Sequence, residues 1–206
     1  MKICLYDSGL GVLPFIKLIL RNNLGNDYYI FLDQDNFPYG EKSEEELEDV
    51  LIKNLNEINK NKYDLIFILC NTMSFIYKKL NIKQDNIKTI LDVNINYQTD
   101  EYFLCTNALS NKLPYSLSGG SLASYIEKVN ILEIINFIND IDKKVILSCT
   151  HYHLLKDIIP FYKKEFVSLE KEIFKDLNYN SLVNFYVKKK DYDVIRKYLK
   201  RVLYFY

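Results

Sequence analysis

Short runs of β-branched and aromatic residues alternate along the chain with longer stretches of helical period, the pattern of an α/β protein built on mainly parallel strands. The runs predict strands over Lys2–Tyr6, Tyr28–Leu32, Leu65–Leu69, Lys88–Val93, Tyr102–Cys105, Val145–Ser148 and Val183–Val187. Between them the 3.6-residue period predicts helices over Val12–Asn22, Met73–Leu80, Ser121–Asn139, Tyr152–Lys164 and Tyr192–Val202. The clearest helix start is Ser43-Glu44-Glu45-Glu46. There Ser43 can accept an unpaired backbone N–H and Glu46 can reach back, a capping box leading into Leu47, Val50, Leu51, Asn54, Leu55 and Ile58, whose apolar members recur at helical spacing.

Two units of this pattern look alike. Asp64 to Thr72 reads strand, Cys70, Asn71, Thr72 and then helix, and Lys144 to His151 reads strand, Cys149, Thr150, His151 and then helix. Ligands of open α/β sheets bind beyond the carboxyl ends of the strands, where both cysteines would project. Two such units facing each other put one thiol on each side of a cleft. The polar stretch Asn94 to Thr99 is the candidate boundary between two lobes, residues 1–95 with about 168–206 in the first and about 96–167 in the second.

Composition narrows the function. At 206 residues with 49% hydrophobic and 26% charged positions, the chain can bury a sizeable core, which excludes global disorder. Lys and Arg number 27 and Asp and Glu number 27, so no net field draws in nucleic acid or an anionic membrane. The basic residues from Lys188 to Arg201 read as a solvated helix face. A small-molecule site is therefore the default. The apolar start, Ile3-Cys4-Leu5-Tyr6, meets Asp7 too early for a secretory signal, and no apolar run reaches membrane-spanning length. The expectation is a cytoplasmic protein whose four cysteines are thiols, metal ligands or catalytic groups rather than disulfides. A homodimer stays open.

The scarce residues carry the candidate chemistry. Cys70 and Cys149 each lie at a helix mouth, where the macrodipole favours a thiolate, with hydroxyl and amide groups following; burial as small apolar side chains is the competing reading. A phosphatase loop would need Arg six residues after the cysteine, where the chain has Ile76 and Leu155. A zinc site from Cys149, His151 and His153 lacks paired Cys-x-x-Cys clusters, so no metal is expected. A Cys-His hydrolase would use Cys149 and His151 but leave Cys70 idle. Asp7-Ser8-Gly9-Leu10-Gly11 places two glycines at a strand end, consistent with backbone approaching a ligand, while Pro14 breaks the dinucleotide fingerprint. Asp7 reads equally as a helix cap. Pro38-Tyr39-Gly40 reads first as a turn, and Glu127 as a solvated charge.

Together, Tyr6-Asp7-Ser8-Gly9-Leu10-Gly11, Pro38-Tyr39-Gly40-Glu41-Lys42-Ser43, Cys70-Asn71-Thr72 and Cys149-Thr150-His151-Tyr152 resemble the glutamate racemases of the aspartate/glutamate racemase superfamily. A weaker similarity continues through Asn184-Phe185-Tyr186-Val187. The resemblance implies two pseudo-symmetric α/β lobes with the active site in the cleft between them, no cofactor, and supply of D-glutamate for peptidoglycan. It implies that Cys70 and Cys149 are the two acid/base groups, that Asp7, His151 and Glu127 assist them, and that Ser8, Tyr39, Gly40, Asn71, Thr72, Thr150 and His151 hold the amino acid. The chain departs from the family at Val12, His153 and Leu109, where Gly, Pro and Thr are usual, and is shortened between Thr106 and Ser121. Aspartate racemisation, or a racemase-fold binding protein with reduced turnover, are the alternatives.

Overall fold

In the computed structural model, which describes residues 1–92, 101–160, 166–167, 174, 177 and 182–203, the first strand β1 (Lys2–Asp7) is the most enclosed. Ile3, Cys4, Leu5 and Tyr6 have no exposed surface, which is why an unbroken apolar run was needed there. β1 pairs in parallel with β2 (Asp27–Leu32) on one side and β3 (Leu65–Ile68) on the other. β4 (Ile87–Thr89) and β9 (Asn184–Val187) complete a five-stranded parallel sheet in the order β4-β3-β1-β2-β9. A second parallel sheet runs β6-β5-β7-β8, from β5 (Glu101–Cys105), β6 (Ser116–Ser118), β7 (Lys144–Ser148) and β8 (Phe166–Val167).

Both sheets reverse direction beside their first strand. After β1 the chain steps to β2 on one side and then crosses to β3 on the other; after β5 it steps to β6 and then crosses to β7. Each reversal leaves a crevice at the strands' carboxyl ends where two loops diverge. Those loops begin at Asp7 and Cys70 in the first sheet, and at Thr106 and Cys149 in the second.

The helices are α1 (Leu13–Arg21), α2 (Glu44–Asn59), α3 (Asn71–Lys79), α4 (Asn107–Ser110), α5 (Leu122–Lys128), α6 (Ile131–Asn139), α7 (Leu155–Ile158) and α8 (Lys189–Leu203). Strand alternation divides the core. Ile3 and Leu5 join an apolar cluster that runs on to Ile126, Ile134, Val145 and Leu147 beside the second sheet. Cys4 and Tyr6 face the other way, onto Leu47, Leu51 and Leu55 of α2 and Met73 and Ile76 of α3. Each of these larger side chains contributes roughly 1.5–3 kcal/mol by leaving water.

Three expected elements differ. The helix expected over Ser121–Asn139 is two helices, because Val129 turns left-handed at φ 54° and its N–H, with that of Asn130, returns to Ile126 and Tyr125 to close α5. No Gly or Pro marks this break. The helix expected over Tyr152–Lys164 is a 3-10 stretch, Thr150–Leu154, followed by the single turn of α7; residues 161–164 lie outside the described ones. The strand expected over Lys88–Val93 starts one residue earlier and ends at Thr89, where Asp92 Oδ2 accepts from the Thr89 N–H at 2.7 Å and tightens the chain into a 3-10 turn. The short strands β6 and β8 had no sequence signal, and the boundary at Asn94 to Thr99 falls outside the described residues.

The capping box forms as the sequence dictates. Ser43 Oγ accepts the Glu46 N–H at 3.2 Å, and Glu46 Oε2 accepts the Ser43 N–H at 2.8 Å. Ser43→Ala should destabilise the protein by about 1 kcal/mol, read as a lower urea midpoint with unchanged slope.

Candidate active site

The two crevices face one another at very short range. Asp7, fully buried at the end of β1, accepts the Gly9 N–H at 3.0 Å through Oδ1 and the Thr150 hydroxyl at 2.9 Å through Oδ2. It therefore caps no helix; it holds its own turn and reaches the loop after β7. Leu10 N–H donates to Glu127 Oε1 at 2.8 Å. A Cβ on Gly9 would overlap that same Glu127 oxygen, and one on Gly11 would overlap Thr150 Oγ1. The two glycines thus let the turn after β1 lie against Glu127 of α5 and Thr150 of the loop after β7.

Cys70 ends the loop from β3 and immediately precedes α3, as expected. Burial pushes its thiol far up, the Asp7 charge adds to this, and the Met73 N–H and the Ser8 hydroxyl beside it act in the opposite sense. Cys149 differs from expectation. It precedes only the Thr150–Leu154 3-10 stretch, so a helix macrodipole gives it little, and its polar partner is the adjacent His151. Burial alone would lower the His151 imidazole, yet its hydrogen bonds to Cys149 and Glu127 outweigh this and hold it well above its ordinary value. His151 Nε2 lies 2.8 Å from Glu127 Oε1. Each thiol is 6% exposed.

Glu127 is thus no solvated charge: its side chain is 11% exposed, and it meets His151, Leu10 and, at 3.4 Å, Gln34 Nε2. The left-handed Val129 that ends α5 lets this short helix aim Glu127 at the crevice while α6 turns Ile134 and Ile138 into the core. His153 turns away, its ring edge-on to Phe15. Among the described residues no group of three or more His, Cys, Asp or Glu is placed to hold a metal ion.

The remaining expected residues also converge. Ser8 and Thr150 are buried beside Cys70 and Asp7 respectively. Asn71 is buried with its Oδ1 lacking a hydrogen-bond partner among the described residues, a free acceptor in the first turn of α3. Thr72 Oγ1 meets Thr106 Oγ1 at 2.9 Å across the two sheets. Tyr39 and Gly40 follow a cis Phe37–Pro38 bond; the Tyr39 hydroxyl is held by Asp33 at 2.6 Å, and a Cβ on Gly40 would sit 2.6 Å from Thr106 Cβ. Thr106, Gln34 and Phe37, whose ring lies 5.0 Å from that of His151, were not singled out from the sequence. The signal for Thr106 was its place directly after a strand flanking the reversal point.

The arrangement offers two thiols, one from each sheet, each with its own carboxylate or imidazole partner. Asp7 carries a direct consequence. Burial first of all raises its carboxyl, with Glu127 adding to this and with His151, Gly9 and Thr150 opposing, to about 6 from 3.8. Between those values the folded chain keeps a proton that the unfolded chain releases. Stability from this group is therefore greatest below pH about 4, falls as pH rises to about 6, and is flat above, a loss on the order of 3 kcal/mol. Asp7→Asn should remove that slope from a plot of unfolding free energy against pH.

Known proteins resemble this one over most of its length. Glutamate racemase of Borreliella burgdorferi is 26% identical over 226 aligned positions, covering 94% of this chain and 85% of the relative. Glutamate racemase of Aliarcobacter butzleri is 28% identical, covering 82% and 78%. The first alignment is longer than the chain itself because it contains gaps opposite residues that the relative has and this chain lacks. The crystal structure of glutamate racemase from Campylobacter jejuni superposes with a TM-score of 0.76 at 17% identity over 98% of both chains. That from Francisella tularensis, in complex with D-glutamate, superposes with a TM-score of 0.71 at 23% identity over 97% and 93%. At these identities the structures establish the two-lobed fold. No protein-family model matches.

Proposed function

We propose that this chain is a cofactor-independent glutamate racemase, interconverting L- and D-glutamate in the cytoplasm and supplying D-glutamate for peptidoglycan. The observation that supports the reading is that the loops bearing Cys70 and Cys149, from the reversal points of two separate sheets, meet through the Thr150–Asp7 and Leu10–Glu127 hydrogen bonds, with both cysteines buried. The likeness to curated glutamate racemases over most of the chain supports it. No helix among the described residues is long and apolar enough to cross a membrane. The lobes are residues 1–95 with about 168–206, and about 96–167, with the amino acid bound between them.

Racemisation needs one group to take the Cα proton from one face and another to return a proton to the opposite face. In one direction the Cys149 sulfur, as thiolate beside the His151 imidazolium, takes the proton, and the electron pair of the Cα–H bond passes into the adjacent carboxylate. The Cys70 thiol then gives its proton to the other face, leaving the inverted amino acid, a Cys149 thiol and a Cys70 thiolate. The reverse reaction exchanges the roles. Asp7 and Ser8 serve the Cys70 side, and His151 with Glu127 the Cys149 side. Asn71 Oδ1 is the acceptor for the substrate ammonium group, and Ser8, Thr72, Thr150 and the Tyr39–Gly40 backbone hold its carboxylates.

Incubation with L-glutamate in deuterated water, without pyridoxal phosphate, should exchange the α-proton and build up D-glutamate. Cys70→Ser and Cys149→Ser should each slow racemisation by at least 100-fold. Full rates in both variants would sink the two-thiol assignment. Exchange with aspartate and none with glutamate would move the substrate class, and binding without exchange would make the chain a binding protein.

A further inference from the structure

The apolar face of α2 carries one buried polar residue, Asn54, among Leu47, Leu51, Leu55 and Ile58. A buried amide is costly unless it is hydrogen-bonded. Its Nδ2 reaches the Tyr6 hydroxyl at 2.9 Å, Asp33 Oδ2 at 2.8 Å and the Tyr39 hydroxyl at 3.2 Å. Asp33 also accepts the Tyr39 hydroxyl at 2.6 Å and Asn36 Nδ2 at 2.9 and 3.0 Å. The segment 33–41, between β2 and α2, is thereby pinned from beneath at both ends.

The other side of that segment touches the groups that attend Cys149. Phe37 packs on His151 with ring centroids 5.0 Å apart and planes at 35°. Gln34 donates to Glu127. An aromatic face beside a charged imidazole both attracts and orients it, and a donor to Glu127 keeps the carboxylate turned toward that ring. We propose that the segment 33–41 positions the His151–Glu127 pair for proton transfer at Cys149, with Phe37 and Gln34 as the contacts and Asn54 as the buried anchor that fixes the segment's height. Phe37, Gln34 and Asn54 are positioning residues on this view, and the proposal rests on the racemase reading.

The test exploits the equal energies of the two enantiomers. Because they force kcat/KM to fall equally in both directions, a defect on one thiol's side shows in the α-deuterium isotope effects and not in the ratio of the two kcat/KM values. Phe37→Leu and Asn54→Leu should lower kcat about tenfold, the scale of one cation–π contact, with little change in KM. The isotope effect should rise for the enantiomer that gives its proton to Cys149 and fall for the other. Phe37→Tyr should restore wild-type values, and Asp35→Asn, an exposed change on the same segment, should leave them unchanged. The chain has two histidines, so the His151 imidazole nitrogen resonance can be followed directly, and it should move in both Leu variants. Equal isotope effects for both enantiomers with an unmoved His151 resonance would overturn the proposal. Should the wild-type chain fail to racemise glutamate, the racemase reading falls, and the nitrogen resonance alone decides the positioning claim. Phe37→Leu carries the test if Asn54→Leu does not fold.

Discussion

The close approach of two sheets at Gly9 and Gly11 is the constraint on which the rest depends. Only residues without a Cβ let the turn after β1 lie against Glu127 and Thr150. That contact lets Asp7 reach the Thr150 hydroxyl and the Leu10 N–H reach Glu127. Glu127 in turn fixes His151, and His151 attends Cys149. Each thiol thus owes its surroundings partly to a residue from the opposite sheet. The apolar core is continuous in the same way, running from Ile3 and Leu5 to Val145 and Leu147.

The electrostatic environments of the two thiols are unlike, although the strands that carry them occupy equivalent places. Cys70 is held up first by its own burial and then by the charge of the Asp7 carboxylate beside it, so its proton is strongly held. Cys149 sits beside an imidazole that its neighbours keep charged.

Much of this was legible in the sequence because the strands are buried and the site residues are rare types. A parallel strand enclosed on both faces, such as Ile3 to Tyr6, has to be a continuous apolar run, and Cys70 and Cys149 stood out in strand-end positions of similar units. The left-handed turn at Val129 was not legible, because a β-branched residue gives no turn signal and the helical period passes through it unbroken. Glu127 was misread for the same reason: its helix ends one residue after it, at Lys128, so the face it presents is set by tertiary packing rather than by periodicity. Asn54 was placed on the periodic face of α2, but its partners there, and those of Phe37, were not legible because each is distant in sequence.

The tight packing around the two thiols also bears on the rhythm of turnover. On the proposed route the face from which a proton reaches Cα sets the configuration, and Cys70 and Cys149, each 6% exposed, are largely shielded from solvent that could deliver a proton in their place. A Cβ added at Gly9 or Gly11 would press on Glu127 or Thr150, so a single methyl group at either glycine would disturb both the pair that attends Cys149 and the hydrogen bond that holds Asp7 beside Cys70.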